Sequence, residues 1–137
     1  MLCLTLNGRT MAQNRTILNE NAQYVQVLEL RLDALDISNK SQLDEAAAFP
    51  SSVDKPVILT FRRKEDGGLA DVTERKRLTV LARVLQGDFS YIDIESDVRK
   101  PSLEADAKSR GITVIRSMHF MDSFPDNLSL KATRIAS

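Results

Sequence analysis

The sequence predicts a parallel α/β fold, built as one domain over residues 1–137. Short apolar runs alternate with amphipathic stretches five times along the chain. Each intervening stretch is long enough to form the helix that a parallel strand connection needs. Charged side chains gather where the apolar runs end. No linker, low-complexity tract or shift in composition divides the chain, so we expect a single structural unit.

Composition restricts the classes of function. Hydrophobic residues make up 42% and charged residues 28% of the 137 residues, as in ordinary folded domains. Basic and acidic residues number 19 each, and this balance argues against binding to nucleic acid or to an acidic membrane surface. No apolar run approaches the roughly 20 residues of a spanning helix. Cys3 is the only cysteine, which predicts a reducing, cytoplasmic setting and a buried thiol that acts as a small hydrophobe.

The elements follow from the hydrophobic pattern and from helix start and stop signals. We predict strands at 2–6, 24–33, 56–61, 89–96 and 112–120. Helices are predicted at 11–23, 41–49, 73–85 and 101–110, with a further helix after Asp126. Ser41 is the expected N-cap of the second helix, and Gly111 is the expected stop of the fourth.

Two closures of the sheet fit this pattern, an open doubly wound sheet and a (β/α)8 barrel. The first strand–helix junction, "LNGRT", has no G-x-G-x-x-G, and no G-x-x-x-x-G-K-[ST] occurs in the chain. The usual nucleotide site of an open sheet is therefore missing. A barrel takes about 250 residues, whereas this chain supplies only five of the eight units.

Polar residues at the strand ends are the candidates for a binding site. Glu29, Arg31 and Asp33 share one face of the second strand, and Arg62 ends the third. The fourth strand carries Asp93 and Glu95, and the fifth leads to His119. In parallel α/β folds the carboxyl ends of the strands meet at the ligand-binding edge. The arginine fork suits a ligand rich in carboxylates and hydroxyls.

Simpler structural interpretations exist for each of these residues. Glu29 and Arg31 could form a structural ion pair, and Asp93 and Glu95 could be inward polar residues of a barrel layer. A histidine between Met118 and Phe120 is commonly a satisfied core histidine. Three other basic residues are expected to face water: Arg63, Lys64 and Lys131.

The combination of motifs is more specific than any single residue. The segments "ELRLD" (29–33), "TFRRKEDGG" (60–68), "YIDIE" (91–95) and "SMHF" (117–120) end consecutive strands. In this order they resemble type I 3-dehydroquinate dehydratase, a (β/α)8 TIM-barrel lyase of the shikimate pathway of aromatic amino-acid biosynthesis. The resemblance extends over the whole chain, as the N-terminal five βα units of such a barrel.

The resemblance implies dehydration of 3-dehydroquinate to 3-dehydroshikimate through a lysine Schiff base, with no metal and no cofactor. It implies that His119 is the general acid–base and that Asp66 is its carboxylate partner. It also implies a set of substrate-binding residues, Thr5, Glu29, Arg31 and Arg62. The paired glycines, Gly67 and Gly68, are expected to let the loop bend over the site.

Two departures from the family pattern affect these expectations. The family's R-x-x-x-E-G-G has glutamate where this chain has Asp66, which is one methylene shorter, so its bond to His119 is lost or bridged by water. The Schiff-base lysine belongs beyond the fifth strand, and Lys131 lies on the wrong element for that role. We therefore expect a partner, either the missing C-terminal half-barrel or a second copy of the chain. The alternative is a catalytically incomplete half-barrel that serves binding or assembly as a dimer.

Overall fold

The computed structural model of the protein describes residues 1–136, in which strands and helices alternate. The strands are β1 (Cys3–Leu6), β2 (Val27–Arg31), β3 (Val57–Thr60), β4 (Tyr91–Glu95) and β5 (Thr113–Ser117). The helices are α1 (Met11–Asn21), α2 (Lys40–Ala48), α3 (Glu74–Val84), α4 (Pro101–Ser109) and α5 (Leu128–Ala136). The predicted alternation is confirmed, and each strand is shorter than the apolar run that predicted it.

The five strands form one parallel sheet in the order β1-β2-β3-β4-β5. A doubly wound sheet reverses its strand order at the ligand site, and this sheet does not reverse. Right-handed crossovers between successive neighbours place all the connecting helices on the same face. This order is that of an arc of a barrel, with β1 and β5 as the two edges within residues 1–136.

The core lies between this sheet and its helices. Strand residues that face the helices are fully buried, among them Leu6, Leu28, Leu30, Leu59 and Ile92. Helix residues meet them from the other side, including Met11, Leu43, Val80 and Leu81. Burying each such side chain contributes about 1.5–3 kcal/mol. Most of the folding free energy therefore comes from this one layer.

The opposite face of the sheet, here called the inner face, is rich in polar residues. The register aligns Thr5 with Glu29, and Arg31 with Thr60, which in turn is aligned with Asp93. Because neighbouring residues in register point to the same side, these side chains share the inner face. Cys3 lies on it too, at the edge strand, and is exposed. The prediction of a buried thiol is wrong, because this face is open at β1.

Side-chain caps fix the starts of three helices. Thr10 accepts a hydrogen bond from the Gln13 N–H at 3.2 Å, and Thr73 accepts one from the Lys76 N–H at 3.2 Å. Asn39, rather than Ser41, caps α2, and it accepts from the Ser41 N–H at 3.0 Å. The prediction placed the N-cap of α2 two residues too late, because asparagine and serine both favour the N-cap position. None of the helices in residues 1–136 combines the length and apolar character needed to cross a membrane.

Candidate functional site

The carboxyl ends of the strands carry a connected group of polar side chains. Thr5 Oγ1 at the end of β1 donates a hydrogen bond to Glu29 Oε2 on β2, at 2.9 Å. A terminal nitrogen of Arg62, just after β3, lies 3.8 Å from Glu29 Oε1 and donates to Asp93 Oδ2 at 3.1 Å. Four of the five strand ends are thus joined across the inner face. Glu29 pairs with Thr5 and Arg62, so the Glu29–Arg31 ion pair considered from sequence is replaced by other partners.

Arg31 is held by Asp33 through a two-pronged ion pair. Its Nε and a terminal nitrogen donate to the two carboxylate oxygens at 2.8 and 2.7 Å. Asp33 also accepts from the backbone N–H groups of Arg62, at 3.2 Å, and Leu69, at 3.0 Å. Burial alone would raise the pKa of Asp33, but the bonds from Arg31 and the two N–H groups lower it below its ordinary value. Asp33 thereby fixes both the Arg31 guanidinium and the loop after β3.

That loop is a short turn, Lys64–Asp66, followed by two glycines. Gly67 adopts a left-handed conformation with φ 85°, which favours glycine. A Cβ on Gly68 would lie 2.2 Å from the Arg62 carbonyl oxygen, so only glycine fits there. The predicted bending role of the two glycines therefore agrees with the backbone geometry.

The prediction that Arg63 faces water is wrong. Its Nε donates to Asp66 Oδ2 at 2.7 Å and a terminal nitrogen donates to Asp97 Oδ2 at 3.1 Å. Only 18% of its side chain is exposed. Burial opposes the charge, but the two carboxylates outweigh it and raise the pKa of the guanidinium. The turn that follows Arg63 folds the chain back, so that Asp66 lies within hydrogen-bond distance of Arg63.

His119 lies beside this turn, two residues after β5. It lines a cavity of about 280 Å³ together with Asp66 and Arg63, and Glu95 and Ser117 form part of the same wall. Its Nδ1 atom is buried and has no hydrogen-bond partner among the described residues. Asp66, the predicted partner, shares the cavity but accepts its hydrogen bond from Arg63.

The structure also reveals a buried ion pair that we did not single out from sequence. Arg77 of α3 places a terminal nitrogen 3.0 Å from Glu95 Oε2, and another terminal nitrogen donates to the Phe61 carbonyl at 2.6 Å. Both side chains are at most 5% exposed. Arg77 occurs three residues before Val80 and four before Leu81, on the apolar stripe of α3. The charged residue within this apolar stripe is the feature of the sequence from which the buried ion pair could have been predicted.

Several buried polar atoms near the inner face have no hydrogen-bond partner in the described part of the chain, residues 1–136. They are Thr60 Oγ1, Arg62 Nε, Asp93 Oδ1, Ser117 Oγ and His119 Nδ1. Buried polar groups are normally hydrogen-bonded, and each unpaired one costs about 1–3 kcal/mol. A ligand with several hydroxyl and carboxylate oxygens could satisfy such a set. The guanidiniums can bind its oxygens and the imidazole can transfer a proton.

Sequence comparison finds the same likeness across the chain. Residues 2–136 match the family model described as type I 3-dehydroquinase. The 3-dehydroquinate dehydratase of Methanopyrus kandleri is 32% identical over 98% of this chain and 60% of its own length. That of Archaeoglobus fulgidus is 32% identical over 82% of this chain and 50% of its own length. The chain thus spans about half to three-fifths of the length of these relatives.

Solved structures show the same fold. A crystal structure of type I 3-dehydroquinate dehydratase from Clostridium difficile superposes with a TM-score of 0.80 at 19% identity, over 95% of this chain and 55% of that one. The enzyme from Enterococcus faecalis superposes with a TM-score of 0.72 at 22% identity, over 95% and 57%. The five-stranded sheet therefore corresponds to an arc of a (β/α)8 barrel. From the family match over nearly its whole length, we conclude that this chain belongs to the type I 3-dehydroquinase family.

Proposed function

We propose that this chain is the N-terminal portion of a barrel that dehydrates 3-dehydroquinate to 3-dehydroshikimate. Residues 1–137 would supply the substrate-binding residues and the acid–base group, and the Schiff-base lysine would lie outside them. The observation that supports this most directly is the set of unpaired polar atoms around Arg62, Asp93 and His119. They surround the strand ends, where barrel enzymes bind their substrates.

In the proposed reaction the lysine amine attacks the substrate ketone and water leaves, giving a protonated imine. His119 removes a proton from the adjacent carbon, and the electron pair moves into the imine. The resulting enamine expels the hydroxyl group, which takes the proton from the His119 imidazolium and departs as water. Hydrolysis of the imine then releases the product and restores the lysine.

The residues on the inner face would bind the substrate. Arg62, with 15% of its side chain exposed, and Arg31, with 17%, present guanidiniums toward the open side of the sheet. They suit the carboxylate and hydroxyl oxygens of a cyclic polyhydroxy acid. Glu29 and Thr5 add acceptors and a donor beside them.

A completing partner is part of this proposal, either the remaining barrel units or a second copy of the chain. β1 pairs only with β2, and β5 only with β4, within residues 1–136. The unpaired backbone N–H and C=O groups of such edge strands can form hydrogen bonds with a further strand. A location in the cytoplasm remains a prediction from the single cysteine.

The second candidate function is a binding or assembly module that dimerises without catalysis. The segment after β5 favours it, because its apolar side chains are exposed: Phe120, Met121, Phe124, Leu128 and Leu130. Exposed large apolar side chains concentrated in one segment are typical of an interaction surface. This surface would serve either closure of the barrel or self-association.

Reduction with borohydride in the presence of 3-dehydroquinate separates the two candidates. The chain would be mixed with a segment carrying the remaining barrel units of the Methanopyrus kandleri enzyme. The dehydratase proposal predicts a covalent adduct on a lysine of that added segment, located by peptide mass spectrometry, and none on this chain alone. A stable complex that gives no adduct would favour the assembly module.

A further inference from the structure

Arg63 bridges two loops at the strand ends. Its Nε holds Asp66, from the turn after β3, at 2.7 Å, and a terminal nitrogen holds Asp97, from the loop after β4, at 3.1 Å. Glu95 Oε1 lies 3.9 Å from the same Nε. Glu65 Oε1 lies 3.7 Å from it as well. The guanidinium therefore sits among four carboxylates, and a planar fork can engage two of them at once in fixed directions.

The carboxylate that Arg63 holds is the one expected to orient His119. Asp66 and His119 line the same cavity, together with Arg63 itself. Asp66 is 12% exposed and is bound to Arg63, whereas His119 Nδ1 is buried and has no partner within residues 1–136. Charge-assisted hydrogen bonds of 2.7 Å are strong, so Asp66 does not leave Arg63 without a cost.

The surroundings leave few other partners for the imidazole. Among the cavity-lining groups, Glu95 is bound to Arg77 at 3.0 Å and Asp97 is bound to Arg63. Glu65, which lines a second hollow beside His119, is 69% exposed. Arg63 holds Asp66 as well, but Asp66 is 12% exposed whereas Asp97 is 66% exposed. Asp66 is thus the buried carboxylate whose release from Arg63 would provide a partner for Nδ1.

We propose that Arg63 is a positioning residue that holds the Asp66 carboxylate and so decides whether Asp66 can orient His119. Its catalytic meaning rests on the proposed function, since an oriented imidazole is what a general base needs. The Arg63–Asp66 contact lies within this chain, so it can be tested without measuring enzymatic turnover. When Arg63 gives up Asp66, the imidazole Nδ1–H gains a carboxylate acceptor. While Arg63 keeps it, Nδ1 stays unpaired.

Nuclear magnetic resonance of the imidazole tests this directly, because His119 is the only histidine in the chain. The full 137-residue chain would be labelled with ¹⁵N, and exchange of the ring Nδ1 proton with water would be measured near neutral pH. We expect a rapidly exchanging proton in the wild type. In Arg63→Met the exchange should slow by at least about tenfold, as one hydrogen bond to a charged acceptor predicts.

Three further variants make the result specific. Arg63→Met combined with Asp66→Asn should return the exchange to the wild-type rate, because the acceptor charge is gone. Lys64→Met removes a cation from the same turn whose ion pair is with Asp71, so this variant should match the wild type. Arg63→Gln carries the same expectation as Arg63→Met if the latter does not fold, which the backbone amide spectrum reports.

The proposal fails if a folded Arg63 variant exchanges its imidazole proton as fast as the wild type. It also fails if slow exchange persists after Asp66→Asn is added. Slow exchange in the wild type that Asp66→Asn abolishes would overturn it as well, since Asp66 would then orient His119 while bound to Arg63. None of these outcomes depends on whether the chain takes part in a dehydratase.

Discussion

Asp33 shows how one carboxylate organises the candidate site. Its side chain is fully buried and accepts four hydrogen bonds, two from Arg31 and one each from the backbone N–H groups of Arg62 and Leu69. It therefore joins β2 to the loop that carries Arg62, Asp66 and the glycines. A buried carboxylate is stable only when its oxygens are satisfied in this way.

The lowered pKa of Asp33 makes stability depend on pH in a definite direction. Because the folded-state pKa lies below the unfolded value of about 3.9, the carboxylate contributes stability above that pH and loses it as the pH falls toward the folded value. Asp33→Ala should lower the free energy of unfolding at pH 7 by about 3 kcal/mol, as expected for breaking a buried ion pair. Urea denaturation at a series of pH values measures both effects. A variant whose stability keeps the wild-type acid dependence below pH 4 would contradict this assignment.

Arg62 is expected to bind substrate rather than to hold the fold. Its guanidinium donates to Asp93 at 3.1 Å, and its buried Nε has no partner among the residues that the structure describes. In the completed enzyme, Arg62→Ala should raise the substrate Kd by about tenfold to a hundredfold, the equivalent of one charge-assisted contact of 1.5–3 kcal/mol. Isothermal titration with 3-dehydroquinate measures this. Arg83→Ala, which removes an exposed pair with Asp44 on the helical side, is the matched control and should bind as the wild type does.

Individual residues also show which side-chain positions can be predicted from the sequence and which cannot. The positions of Thr5, Glu29 and Arg31 on one face follow from the alternation of side chains along a strand, which is a local rule. Arg62 and Arg63 are neighbours with the same chemistry, and only the turn decides which of them points where. No sequence pattern specifies that Arg63 turns back to Asp66 and Asp97. The same holds for Cys3, whose exposure follows because β1 has β2 as its single neighbouring strand among residues 1–136.

At the scale of elements, helix α3 is tied to the sheet by charge as well as by its apolar stripe. Arg77 reaches Glu95 at the end of β4 and the carbonyl of Phe61 after β3. Burial opposes the charge on Arg77, but Glu74 and Glu95 outweigh it, so its pKa is raised. The pair fixes the end of β4, which adjoins the cavity of His119.

Arg77→Met should therefore destabilise the fold more than a surface arginine would. We expect a loss of about 3–5 kcal/mol, because buried Glu95 loses its close partner and keeps only the more distant contact with Arg63, at 3.9 Å. Adding Glu95→Gln to Arg77→Met should recover part of that loss, since no charge then remains buried. Arg75→Met, an exposed change on the same helix, should fall within about 0.5 kcal/mol of the wild type. Chemical denaturation of these three variants and of Glu95→Gln alone gives the comparison, and additive losses for Arg77 and Glu95 would show that the two are not coupled.

Elements were predicted well where the pattern is local. Strand–helix alternation, the N-terminal proline of α4 and the glycine after it are all local signals. The predicted strands extend beyond the observed strand ends, because the apolar run continues past the last backbone hydrogen bond of the sheet. Phe61, for example, is 1% exposed although β3 ends at Thr60. The choice between barrel and open sheet required the order of the strands, which depends on long-range contacts.

The whole molecule is an arc with a buried layer on one face and a polar, partly open layer on the other. The helical side holds the core, whereas the inner face ends in β1 and β5 without further strands among the described residues. The exposed apolar segment after β5 lies at one of these two ends. We therefore expect a partner that reaches both edges.

Hydrogen exchange should detect that partner at both edges together. With the remaining barrel units added, backbone amides of β1 (Cys3–Leu6) and β5 (Thr113–Ser117) should gain protection, because closure gives both strands a neighbour. Those of the central strand β3 should change little, since it already has two neighbours. Protection of β5 alone would indicate docking on the apolar segment without closure of the barrel.

The measurement that tests the central claim most directly is turnover by the reconstituted barrel. The chain and the C-terminal units of the Methanopyrus kandleri enzyme would be co-expressed, and formation of 3-dehydroshikimate would be followed by its ultraviolet absorbance. We predict activity from the complex, none from either part alone, and none when this chain carries His119→Ala. A complex with both edges protected that shows no turnover, or whose turnover survives His119→Ala, would contradict the account.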